Sequence, residues 1–81
     1  MDGVNYTIDQ ASQIVGVLKS TLRYWGRIFE IKTPRTDGNQ RRYPTELVEL
    51  FKRIKGLYDE GLATRGVRMR LQEGEHAHQV A

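Results

Sequence analysis

The sequence predicts a small, mainly α-helical domain carrying one β-hairpin, with four short helices in all. Three observations predict it. Apolar residues recur at helical spacing in four separate stretches. Between the second and third of these, residues 31–43 lose that period. Pro34 there restricts the residue before it to extended geometry, and Asp37-Gly38-Asn39 is turn chemistry that admits positive φ. The chain also has 81 residues, 38% of them hydrophobic, and no cysteine. That is enough for one compact core, and it excludes a disulfide framework or a thiolate zinc site.

The first helix is read from Thr7 to Val15, where Ile8, Ala11, Ile14 and Val15 share one face. Thr7 or Asp9 supplies an N-cap oxygen, and Gly16 tolerates the left-handed conformation that stops a helix. The second helix runs from about Lys19 to Ile28, with Leu22, Trp25 and Phe29 turned inward. Ser20, Arg23, Tyr24 and Arg27 fall on its other sides. Trp25 could stack on a base, but its spacing with Leu22 and Phe29 assigns it to the core. Two such helices joined by a tight turn at Gly16-Val17 form a helix-turn-helix, whose second helix normally enters the DNA major groove.

The flanks of the next turn, residues 32–35 and 40–43, have the length of two short antiparallel strands, a small β-ribbon. Thr45 is placed to cap the third helix, which is the clearest element: Leu47, Leu50, Phe51, Ile54, Leu57 and Tyr58 form one apolar stripe. Gly56 weakens it and Gly61 ends it. Thr64 opens a fourth helix to about Gln72, with Val67 and Leu71 inward. Residues 73–81 carry no periodicity and are expected to be a disordered tail, leaving residues 1–72 as the single domain.

Charge is focused on one segment. Residues 19–43 hold seven cations and two carboxylates, a net +5, whereas the whole chain is only +3. A cationic segment set in an otherwise acidic remainder is the electrostatic footprint of a nucleic-acid face. Enzymatic readings fail on residue type. The sequence has no phosphate-binding loop of Walker type, no cysteine nucleophile, and no histidine before His76. His76 and His78 lack a third ligand, so no metal or cofactor is expected. No apolar run spans a membrane, and the polar N-terminus is unlike a signal peptide. The expected location is cytoplasmic, associated with the nucleoid.

Several blocks together resemble the DNA-binding domain of MerR-type transcriptional regulators. They are Y-T-I at 6–8, G-V at 16–17, S-T-L-R-Y-W at 20–25, R-T-D-G-N-Q-R-R-Y at 35–43, the L-V-E-L-F-K-R-I-K helix from Leu47, and D-E-G-L-A-T-R-G-V at 59–67. The resemblance implies a winged helix-turn-helix in which the hairpin is the wing and two further helices lie behind it. It covers about Tyr6 to Gln72. There are three departures. Leu18 replaces the usual small polar cap, which shifts the expected capping role to Ser20. Gly26 stands where an acidic residue is common and should loosen the helix. The long C-terminal coiled-coil helix through which family members dimerise has no counterpart, so the chain is expected to be a monomer alone, with copies side by side on DNA.

The resemblance implies that Arg23 and Tyr24 contact DNA from the second helix, Arg as a planar fork and Tyr as a hydroxyl donor. Lys19 and Ser20 open that helix, where side chains reach deepest into the groove, and are the candidates for reading sequence. Arg27 is a candidate phosphate contact. On the wing, Arg35, Arg41 and Arg42 are candidates for phosphates or the adjacent minor groove. Adjacent strand residues face opposite ways, so Arg41 and Arg42 cannot both point at DNA alike, and the resemblance favours Arg42. Asn39 is a turn former that can also donate to phosphate. Tyr43 suits either core packing or a phosphate contact. Arg65, Arg68 and Arg70 form a smaller basic group, one of them a candidate for a flanking phosphate.

The expected partner is double-stranded DNA, read sequence-specifically. Two other readings are an architectural, excisionase-like or partitioning protein that binds in arrays, and a protein-interaction module captured by an acidic, DNA-mimicking partner.

Overall fold

The computed structural model describes residues 5–34 and 42–80. In chain order the elements are β1 (Asn5–Tyr6), α1 (Ile8–Val15), α2 (Lys19–Ile28), β2 (Tyr43–Pro44), α3 (Thr45–Asp59) and α4 (Thr64–Val80). The mainly helical domain with four helices is the predicted one.

Thr7 caps α1 through a reciprocal box. Its hydroxyl accepts from the Gln10 N–H at 3.2 Å, while the Gln10 side-chain oxygen accepts from the Thr7 N–H at 2.9 Å. Gly16 closes the helix at φ 85°, donating to the Ser12 carbonyl at 2.8 Å. The chain then turns directly into α2. Its N-cap is Leu18, with no side-chain cap. The expected cap at Ser20 is therefore corrected: Ser20 lies inside the first turn, because the Leu18 carbonyl already accepts from the N–H groups of Thr21 and Leu22.

α2 ends in a Schellman arrangement. Glu30 donates to the Arg27 carbonyl and Ile31 to the Gly26 carbonyl. The left-handed position that this motif requires is filled by Glu30, at φ 54°. The same motif closes α3, where Gly61 donates to Tyr58 and Leu62 to Leu57, and there the left-handed residue is Gly61 at φ 99°.

The described strand pair is a further one, since the expected ribbon at 32–35 and 40–43 lies partly outside the described residues. β2 pairs antiparallel with the N-terminal β1, in the register Asn5 with Pro44 and Tyr6 with Tyr43. Within the wing itself, the Arg42 N–H donates to the Pro34 carbonyl at 2.7 Å, which joins the two limbs at their base. The turn at Asp37-Gly38-Asn39 lies outside the described residues. Thr45 is the first helical residue of α3 rather than its cap, a role taken by Pro44.

The core gathers Ala11 and Val15 of α1, Leu22 and Trp25 of α2, Tyr43, five residues of α3, and Val67 of α4. Trp25 stacks on Phe51 at 6.4 Å and on Tyr58 at 5.4 Å, so it is a core residue as expected. α3 is the central element, in contact with α1, α4 and β2. α4 continues to Val80, eight residues past its expected end at Gln72, so the tail from residue 73 is helical in backbone where disorder was expected. Residues 73–80 contain no proline, and extending an existing helix adds one hydrogen bond per residue fixed without a new nucleation cost. Among the described residues, no helix is long and apolar enough to cross a membrane.

Candidate nucleic-acid interface

Burying Leu22 and Trp25 fixes how α2 is rotated, and with it which side chains face outward. Ser20, Arg23, Tyr24 and Arg27 then line one surface depression of about 360 Å³. All four were singled out from the sequence, and the structure brings them together. The Arg27 guanidinium lies 5.7 Å from the centre of the Tyr24 ring, a cation–π contact across one helical turn. That contact restrains both side chains on the exposed face. Tyr24 is 49% exposed, which leaves it accessible to a ligand.

A second groove, of about 300 Å³, adjoins the first. Arg23, Gly26 and Arg27 form its helix wall and Ile31 and Thr33 its opposite wall, with Leu22 and Tyr43 beneath. It separates α2 from the outgoing limb of the wing. Among the described residues, no carboxylate lines either depression, and both carry arginines with aromatic and apolar support. Gly26 leaves room for a small side chain in the groove wall. A Cβ at that position would meet nothing closer than the Ile31 carbonyl at 3.9 Å.

Lys19 is engaged differently. Its ammonium sits 2.7 Å from the Asp9 carboxylate of α1, so the cation at the opening of α2 is already paired within the protein. Asp9 was not anticipated in this role. It lies ten residues away in sequence, and only the helix-turn-helix geometry brings the two together. Both side chains are at least half exposed, so the pair contributes little to stability and can exchange for another anion.

The wing residues divide. Arg35, Asn39 and Arg41 lie outside the described residues. Arg42 is half-buried beside the limb-closing hydrogen bond. Of the two roles left open for Tyr43, core packing and a phosphate contact, the structure shows core packing. Tyr43 is 1% exposed, and its ring packs against Phe51 at 6.1 Å. Strand alternation turns Tyr43 onto the core, and the same alternation sends Arg42 to the opposite face.

Elsewhere, the third helix carries two surface ion pairs, Lys52 with Glu49 at 3.5 Å and Lys55 with Asp59 at 2.7 Å. Arg53 donates to the Arg70 carbonyl at 3.3 Å. Arg68 reaches back to α2, where it donates to the Ile28 carbonyl at 2.6 Å. Among the described residues, no group of His, Asp and Glu is placed to hold a metal ion.

Comparison with known proteins agrees with this arrangement. Residues 6–74 match the model of the MerR HTH family regulatory proteins. HspR of Streptomyces coelicolor, described as a heat shock protein, is 34% identical over 64 residues, covering 78% of this chain and 42% of HspR. The HTH-type transcriptional repressor CarH of Myxococcus xanthus is 37% identical over 59 residues, covering 72% of this chain and 20% of CarH. The crystal structure of HiNmlR, a MerR family regulator lacking the sensor domain and bound to promoter DNA, aligns with a TM-score of 0.78 at 19% identity. That alignment covers 91% of this chain and 56% of HiNmlR. The chain thus spans less than half the length of these two curated relatives. It belongs to the MerR family of helix-turn-helix regulatory proteins.

Proposed function

We propose that this chain is the DNA-binding domain of a MerR-type transcriptional regulator, binding double-stranded DNA sequence-specifically. α2 lies in the major groove of a half-site, and the wing grips the neighbouring backbone or minor groove. The observation that carries this reading is the single exposed face on which Ser20, Arg23, Tyr24 and Arg27 meet, with no carboxylate among the lining residues. Guanidinium groups offer forks to phosphate or guanine, and the two hydroxyls donate to phosphate. The family match and the fold shared with a regulator described as bound to promoter DNA support the same reading. No catalytic step belongs to it, and chromosomal DNA in the cytoplasm is its natural substrate.

Arg23, Arg27 and Arg42, together with Lys32 and the remaining wing arginines, supply about 4–6 phosphate contacts, so log K should fall with log salt at a slope near −4 to −5. The experiment is a fluorescence titration of a random-sequence duplex across a salt series, run beside selection from a random duplex library. A steep slope with an enriched motif is expected. Binding that ignores salt would refute the proposal.

A further inference from the structure

Arg68 belongs to α4, a helix packed against α3, yet its guanidinium lies at the far end of α2. Two contacts hold it there. It donates to the Ile28 carbonyl at 2.6 Å, and it lies 5.8 Å from the centre of the Phe29 ring. The last carbonyls of a helix have no partner within the helix and carry the negative end of its dipole. In α2 the carbonyls of Gly26 and Arg27 are taken by Ile31 and Glu30, and that of Ile28 is taken by Arg68. Arg68 therefore supplies the partner for the last helical carbonyl of α2, with a cation where the dipole favours one.

The placement of Arg68 follows from its neighbours. Val67, fully buried, fixes the rotation of α4. The Tyr58 hydroxyl and the Thr64 side-chain oxygen, 2.8 Å apart, tie the start of α4 to the end of α3. Anchored at its base in this way, the exposed Arg68 side chain joins α4 to the end of α2 through one N–H on a carbonyl and its guanidinium over one ring.

We propose that Arg68 is a positioning residue for DNA reading. It clamps the C-terminal end of α2 to α4, so that the tilt of the recognition helix depends on where α4 sits. This rests on α2 being the helix that reads DNA. Of Arg65, Arg68 and Arg70, one of which the sequence offered for a flanking phosphate, Arg68 has its guanidinium directed to the protein's own backbone.

The test uses the 81-residue chain and two duplexes, one enriched by that chain from a random library and one of random sequence. Arg68→Met keeps the alkyl stem and removes the cation and its donors. Its enriched-to-random affinity ratio is expected to fall about tenfold, the scale of one lost base contact, with the salt slope unchanged. Arg68→Lys keeps a cation but loses the fork, and is expected to lose about threefold, reflecting the weaker hold of a point charge on this site. Should the methionine variant lose its helical circular dichroism, the lysine variant decides alone. A wild-type ratio in the folded variants overturns the proposal. So does an equal loss on both duplexes with the slope shallower by about 0.9, since that marks a phosphate contact. Wild-type protein that enriches no sequence at all overturns the DNA-reading function itself, which separates the two failures.

Discussion

Glu30 sits in the left-handed region, at φ 54°, in the motif that ends α2. An L-residue other than glycine in this conformation brings its Cβ against the following carbonyl, at a cost of about 1–2 kcal/mol. The carboxylate also stands at the negative end of the α2 dipole, where an exposed charge of that sign costs about 0.3–1 kcal/mol. Glu30→Gly removes both penalties. Against them stands the greater freedom of glycine in the unfolded chain, worth about 0.4–1 kcal/mol. The net expectation is a stabilisation of about 1 kcal/mol, which raises Tm by about 4–8 °C in a domain of this size. Thermal unfolding followed by circular dichroism measures it. Glu30→Gln serves as the control, since it removes the charge and keeps the backbone strain, and should recover only the dipole part. A Tm for Glu30→Gly at or below that of Glu30→Gln would refute the argument that the backbone is strained here.

Two further predictions follow from the same geometry. Gly56 lies inside α3, and a Cβ there would meet nothing within 4 Å. Gly56→Ala should therefore stabilise the domain by up to about 1 kcal/mol, read as a higher urea midpoint at unchanged m-value. Asp9→Asn should release Lys19 from its 2.7 Å ion pair and remove a carboxylate beside the DNA-facing helix. Affinity for random-sequence duplex at low salt should rise and the salt slope should steepen by about 0.9, while stability changes by no more than about 1 kcal/mol. An unchanged slope in that titration would show that Lys19 makes no phosphate contact.

The parts legible in the sequence are those governed by local chemistry. The α3 stripe, the capping threonine at position 7, and the glycines at 16 and 61 each announce an element through residues a few positions apart. The exposed quartet on α2 was legible for the same reason: knowing that Leu22 and Trp25 face inward fixes where Ser20, Arg23, Tyr24 and Arg27 must lie. Contacts between distant residues were not legible. A two-residue strand such as Asn5–Tyr6 leaves no periodicity, and its partner lies almost forty residues on. Asp9 beside Lys19 and Arg68 against Ile28 depend on how helices dock, which no local pattern encodes. The end of α4 was not legible because the sequence at 73–80 carries no apolar periodicity to follow.

The C-terminal end of α2 and the base of the wing are joined through the backbone. The Ile31 N–H is bonded to the Gly26 carbonyl of α2, and from Ile31 the chain passes directly into the outgoing wing limb. The returning limb is bonded to the outgoing one where Arg42 meets Pro34, and it ends in Tyr43, which is buried against Phe51 and paired with Tyr6. Each limb of the wing is thus fixed to the core within a few residues of its base, one through α2 and the other through α3. A rotation of α2 about its own axis would have to break the Ile31 bond or carry the outgoing limb with it. Arg68 grips the same end of α2 from the opposite side, at Ile28. The groove lined by Arg23, Gly26, Arg27 and Thr33 lies between the two parts so joined. Under the proposed function, a displacement transmitted through Arg68 would therefore reach the base of the wing as well as the end of α2.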